Sequence, residues 1–208
     1  LTSTMTVRGA GILSSIKEGL QYIRSETTII LILVFTLFTV VLSMPYMRLL
    51  PIFTEDILKV GATGMGVLLS VSGVGAIISS LMLASMPNKK RGLMLLVSSL
   101  ILSLALVGFS FSSSWPLSLS LIVFVGMGQA GRMTLGNTLL QYYVKDEYRG
   151  RVMSIYMMEF GLTSFSAFAA GLLADTVGMQ WAIGGLAMLL IILSILGLAF
   201  VPRLRKLD

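Results

Sequence analysis

Charged side chains divide the chain into long uncharged stretches. Twenty-one residues separate Glu26 from Arg48, 29 separate Lys59 from Lys89, and 40 separate Arg91 from Arg132. The last stretch is interrupted by the turn-like Ser112-Ser113-Ser114-Trp115-Pro116. A further 23 residues lie between Arg151 and Asp175, broken only by Glu159, and 27 between Asp175 and Arg203. A spanning helix needs about 20 predominantly apolar residues, so the pattern predicts six, over about 27–50, 62–85, 92–111, 116–143, 151–174 and 179–201. Only helices and closed barrels satisfy the backbone in lipid, and runs this continuous lack the alternation of barrel strands. Pro45 and Pro51 should bend the end of the first span. The expected fold class is an all-α membrane protein. Residues 1–26 form a cytoplasmic link, 27–201 the six-helix domain and 202–208 a cytoplasmic tail. In the link, Ile12, Ile16, Leu20 and Ile23 share a helical face while Lys17, Glu18, Gln21 and Arg24 lie elsewhere. That spacing suits an amphipathic helix on the membrane surface, or a plain linker helix.

Composition agrees with a membrane protein. Hydrophobic residues make up 56% of the chain and charged ones 12%, with a mean hydropathy of +0.94. Disorder is excluded, and a soluble globule would lack the polar surface to cover itself. Without Cys or His, disulfides, thiolate chemistry and the commonest transition-metal ligand are missing. The net charge of +6 reads as membrane orientation. With both ends cytoplasmic, 12 of the 15 basic residues, including Arg8, Lys89–Arg91 and Arg203–Lys206, lie inside. Only two, Arg48 and Lys59, lie outside, and Arg132 is within the membrane. This is a positive-inside pattern with no need for a nucleic-acid partner. Trp115 and Trp181 fall at outer span ends and Tyr142 and Tyr143 at an inner one, as aromatic belts do. No signal peptide opens the chain at Leu1, and it reads as a piece of a longer polypeptide.

Two charges stand inside the spans. Arg132 is about 16 Å from the Tyr143 end of the fourth span, and Glu159 about 12 Å from the Arg151 end of the fifth, at 1.5 Å per residue. The two helices are antiparallel, so the depths allow a contact. Charges there cost about 2.5–3.5 kcal/mol on the insertion scale, and they usually face the bundle interior. The pair is either a substrate or proton-coupling site or a static tie between helices. Gln129, Arg132 and Gly136 share one face of the fourth span, and Thr134, Asn137 and Gln141 roughly the opposite one. Tyr156, Glu159, Thr163, Ser166 and Ala170 share a face of the fifth. Such stripes line watery paths or bond to other helices.

The second span repeats small residues (Gly66, Ser70, Gly73, Ala76, Ser80, Ala84), as a static or a sliding helix interface would. Gly161, Ala167, Ala170 and Gly171 give the fifth a similar character. Met153, Met157 and Met158 beside Glu159 suit gap-filling, lipid contact or adaptable binding. Glu55 and Asp56 read as solvated loop acids. Gly61–Gly66 has no phosphate-loop pattern, and no nucleophile–base pair or metal cluster is visible. An enzyme is therefore not expected, nor any cofactor or metal.

The loop Asp146-Glu147-Tyr148-Arg149-Gly150-Arg151 resembles the Arg-Gly-Arg loop of the major facilitator superfamily of secondary transporters. Ile16–Arg24, Leu50-Pro51-Ile52-Phe53, the Gly64–Gly75 run and Gly128–Arg132 also resemble one branch, which includes the enterobactin exporter and related efflux proteins. The resemblance implies the C-terminal six-helix half of such a transporter, with 27–111 and 116–201 as inverted three-helix repeats. It implies an N-terminal half in the same polypeptide. It puts the first and fourth spans at a central cavity and the second and fifth against the other half. The loop Ser85-Met86-Pro87-Asn88-Lys89-Lys90-Arg91-Gly92 keeps the basic residues of the family's inner motif but lacks its aspartate.

The expected function is secondary active transport in the plasma membrane of a bacterium, as proton-coupled export of small organic molecules such as drugs or siderophores. Proton coupling and direction come from the resemblance alone. Glu159 is the candidate protonatable group. Gln129, Arg132, Asn137, Tyr156 and Thr163 are cavity candidates, and Asp146, Arg149, Gly150 and Arg151 form the cytoplasmic motif. Alternatives are lipid or lysolipid transport on the same fold, and a non-transporting membrane scaffold.

Overall fold

The structure, a computed structural model, describes residues 9–87 and 89–207, with side chains from Lys17 onward. Arg8, Asn88 and the side chains of Ile12 and Ile16 lie outside the described residues. Six helices are long and apolar enough to cross a membrane: Thr27–Ile57, Gly61–Ser85, Arg91–Ser110, Trp115–Tyr143, Asp146–Val177 and Met179–Phe200. They follow a link helix, α1 (Gly9–Ser25). The described residues contain no strand. All-helical architecture with six spans is what the apolar runs predicted.

Two spans are not single helices. The first comprises α2 (Thr27–Ser43), α3 (Pro45–Ile52) and a π-helical turn over Phe53–Ile57. The break at Met44 follows from Pro45, which cannot donate a backbone hydrogen bond and opens α3 at its first position. The span runs on past residue 50, because Pro51 is followed by i→i−5 bonding, Leu58 N–H to the Phe53 carbonyl at 3.1 Å. Glu55 and Asp56 therefore sit on a helical turn and not in a loop, and both are exposed. The second and third spans are α4 (Gly61–Ser85) and α5 (Arg91–Ser110), and the fourth is α6 (Trp115–Tyr143).

The fifth span starts five residues before the predicted 151 and divides into α7 (Asp146–Gly161) and α8 (Thr163–Val177). The Arg-Gly-Arg motif is thus the first turns of a helix and not a loop. Charge excludes these residues from an apolar count, but Asp146 and Glu147 in the first turn favour a helix N-terminus. The break at Leu162 has a local cause: Gly161 is a poor helix former, and the Thr163 hydroxyl donates to the Phe160 carbonyl at 2.6 Å. Gly178, at φ 91°, makes the turn into α9 (Met179–Phe200), a conformation that favours glycine.

Packing relies on close backbone approach, as expected where lipid removes the hydrophobic drive between helices. α4 crosses α6 so tightly that a Cβ on Gly75 would collide with the Val123 carbonyl, and one on Gly126 with that of Ser72. The small-residue stripe of the second span behaves differently. Gly66 and Gly73 meet nothing within 4 Å, and Ser70, Ser80 and Ala84 are exposed. Its packing residues are Gly64, Leu68, Gly75 and Ser79. Gly161 and Gly171 are equally open. α4 and α7–α8 are the least buried spans.

Two apolar clusters fill the bundle. One, towards the end carrying Lys89–Arg91, joins Ile29, Ile32, Leu95, Leu96, Leu139, Leu140 and Val152. The other, at the opposite end, joins Phe53, Leu68, Leu102, Phe109, Ile122 and Leu190. At the basic end the tail turns into α10 (Pro202–Arg205), which buries Leu204. The Gly92 N–H donates to the Leu207 carbonyl at 3.0 Å. α1 docks there as well. Its packed face holds Gly19, Tyr22 and Ile23, whereas Leu20, predicted on the apolar face, is half exposed. The Tyr22–Tyr148 stack (4.1 Å) and the Glu18–Arg151 pair (2.8 Å) set that rotation.

Candidate functional site

Between the apolar clusters, α2, α6 and α7 converge on a buried polar group. Gly136 marks the meeting point: a Cβ there would lie 3.0 Å from Thr36 Cγ2 and 3.4 Å from the Tyr156 hydroxyl. One turn earlier on α6 sits Arg132, only 1% exposed. Its Nε donates to Gln129 Oε1 at 3.2 Å, and Gln129 Nε2 donates to the Met44 sulfur at 3.5 Å. Through Gln129 the arginine is therefore anchored to the break between α2 and α3. From α7 come Tyr156 and Glu159, 1% and 5% exposed.

The predicted Arg132–Glu159 contact is not a direct ion pair. The two salt bridges among the described residues, Arg149–Asp146 and Arg151–Glu18, both lie at the basic end. Arg132 and Glu159 are near enough to feel each other's charge, but Arg132 is held by Gln129 of its own helix and Glu159 by a partner on another. For Glu159 that partner is Thr36, whose hydroxyl lies 3.0 Å from Glu159 Oε1 and 2.9 Å from the Ile32 carbonyl. One hydroxyl proton serves one of these acceptors at a time. Arg132 Nη1 and Nη2, Tyr156 Oη and Glu159 Oε2 are buried without a hydrogen bond among the described residues. Polar atoms taken out of water without a partner are costly.

Of the predicted site residues, Gln129, Arg132, Tyr156 and Glu159 are brought together. Arg132 and Tyr156 are enclosed by helices, behind any open face of the bundle. Asn137 lies on a different face of α6, where its Oδ1 accepts from Gln141 Nε2 at 2.6 Å. Thr163 sits at the break in the fifth span, one turn beyond Glu159. The motif residues form a separate group: Asp146 pairs with Arg149 at 2.6 Å, Arg149 Nη2 donates to the Gln141 carbonyl at 3.2 Å, and Arg151 lies over the Tyr148 ring. Gly150 has open space where a Cβ would go.

Sequence reasoning missed two members. Thr36 bonds Glu159, and Tyr46, buried on α3, lies within the field of Arg132. The signal for Thr36 was present: Thr36, Thr39 and Ser43 recur at helical spacing in an otherwise apolar span, and all three are buried.

A family described as transmembrane secretion effector matches residues 3–208. The chain is also 28% identical, over 136 residues, to the staphyloferrin A transporter of Staphylococcus aureus (strain NCTC 8325 / PS 47). The alignment covers 64% of this chain and 34% of that protein, so the chain spans about a third of the length of this curated relative.

Proposed function

The chain belongs to the transmembrane secretion effector family, transporters of the major facilitator superfamily, and from that premise we propose that it is the C-terminal half of a proton-coupled exporter of small organic molecules. The observation that carries this reading is Glu159. It is buried in the middle of a span and held by a hydroxyl from another span. It lies in the field of an arginine that does not pair with it directly. A static tie would place the two charges in contact; here both retain unused hydrogen-bonding capacity.

Thr36 gives the coupling a physical form. With Glu159 ionised, the Thr36 hydroxyl donates to it. With Glu159 protonated, the carboxyl donates to Thr36 and the hydroxyl turns to the Ile32 carbonyl. Protonation thereby changes the bond between α2 and α7, whose spans are the two with internal breaks. Rocking of one six-helix half against the other would act through these spans. The exposed faces of α4 and α7–α8 supply the surface for an N-terminal half of the same polypeptide. Asn137 and Thr163 stand nearer the open side than Arg132 and are the better candidates for substrate contact. A siderophore-like substrate is supported by the relative's name. The 12-to-2 basic asymmetry supports a plasma-membrane protein with both ends of this segment cytoplasmic.

The test uses full-length protein in liposomes with an imposed proton gradient and an internal pH dye. Siderophores and amphipathic cations are added to wild type and to Glu159→Gln. Compound-dependent proton flux should appear in wild type and vanish in the variant, with folding retained. Flux with unchanged pH dependence in Glu159→Gln removes Glu159 from the mechanism.

A further inference from the structure

α4 and α6 touch backbone to backbone at Gly75 and Gly126, with no room for a side chain. Towards the basic end they diverge, and α5 closes the gap from behind. Two compartments result. One, of about 220 Å³, is lined by Ser80, Arg91, Thr134 and Thr138. The other, of about 290 Å³, is lined chiefly by Met82, Val97, Ile101 and Met127. They are adjacent: Leu83, Met86 and Met94 line both. Met82, Val97 and Ile101 are 45%, 41% and 36% exposed, so the apolar compartment opens on the outer surface of the bundle. Among the described residues no acidic side chain lines either space.

We infer that this cleft binds one anionic phospholipid, its phosphate at Arg91 with Lys89 and Lys90 at the rim, and an acyl chain along Met82, Val97 and Ile101. The compartment at Arg91 offers a place for the phosphate and the apolar one for part of an acyl chain, the rest of the lipid lying on the outer surface of the bundle. Hydroxyls and a guanidinium suit a phosphate, and basic pockets between spans are sites of anionic headgroups. Thioether side chains adapt to a flexible hydrocarbon. A water-soluble anion would satisfy the polar compartment but leave the apolar one unexplained. A neutral hydrocarbon would do the reverse. The cleft is separate from the Arg132–Glu159 cluster, and the inference does not depend on proton coupling.

The experiment is native mass spectrometry of the full-length protein in detergent, offered equal amounts of phosphatidylglycerol and phosphatidylcholine with identical chains. Wild type should retain one phosphatidylglycerol in preference. Lys89→Gln and Arg91→Gln should each lower that preference about fivefold. Ile101→Trp should fill the apolar compartment and reduce retention of the bound lipid, whereas Ile192→Trp, on the exposed face of α9, should not. Equal retention of both lipids by wild type overturns the inference, as does a preference that survives the charge variants. The charge variants decide the matter if Ile101→Trp fails to fold.

Discussion

The same pair of antiparallel helices, α6 and α7, carries charges in two settings. At the basic end, Asp146 and Arg149 form a 2.6 Å pair whose side chains are 86% and 46% exposed. Midway along the fourth and fifth spans, Arg132 and Glu159 are almost wholly enclosed and do not pair. The closer contact is the weaker contributor, because water screens it and competes for both partners. The enclosed charges are not in contact, and burial strips water from both. Salt-bridge geometry alone therefore does not rank these sites. What gives the interior pair its consequence is that Gln129 and Thr36, and not the opposite charge, hold the two side chains.

Substitutions can break this contrast. The largest effect is expected for Arg132→Ala, which empties a large buried site, leaves Gln129 Oε1 without its donor and removes a positive charge near Glu159. The Arg132→Ala/Glu159→Ala double variant should recover part of that loss. Unfolding midpoints in detergent for all four members of the cycle measure it, and strict additivity would mean that the two charges do not communicate. Thr36→Val comes next. It keeps the volume but removes the hydroxyl that Glu159 uses, at about 1–3 kcal/mol for the buried acceptor left behind. Coupled proton flux should fall with it, and full flux would show that the hydroxyl is not part of the coupling.

Gly136→Ala sharpens the geometry. Its methyl group would press on Thr36 and Tyr156, forcing small shifts that should cost about 1–3 kcal/mol. A variant as stable as wild type would mean that the three helices are less tightly joined there. The smallest effect belongs to Arg149→Ala, within about 0.2–1 kcal/mol and fading as salt is raised. A loss as large as that of Arg132→Ala would reverse the comparison.

Particular residues show how far the sequence reaches. Six spans were legible because burial in lipid demands about 20 apolar residues in a row, a property of local composition. The depths of Arg132 and Glu159 were legible because helical rise is fixed. Pro45 announced a bend for a similarly local reason. The early start of the fifth span was obscured because an apolar count stops at charges, although Asp146 and Glu147 are good first-turn residues. The break at Leu162 depends on a glycine beside a back-bonding threonine, a weaker signal than proline.

Partner choice across helices was not legible. The sequence placed an arginine and a glutamate at similar depths, and put Gln129 on the face of Arg132, but helix rotation turned Glu159 to Thr36 and not to Arg132. That rotation is set by where α2 can approach α6 at Gly136, which depends on three elements packing at once. The small-residue stripe of α4 was readable as an interface, yet which glycines touch α6 was not. Periodicity defines faces of a helix, whereas only the arrangement of neighbours decides what each face meets. The sequence by itself thus determined the class of protein, its spans and its candidate charges. The tertiary structure decided their partners, because contact between distant segments depends on packing that no local pattern contains.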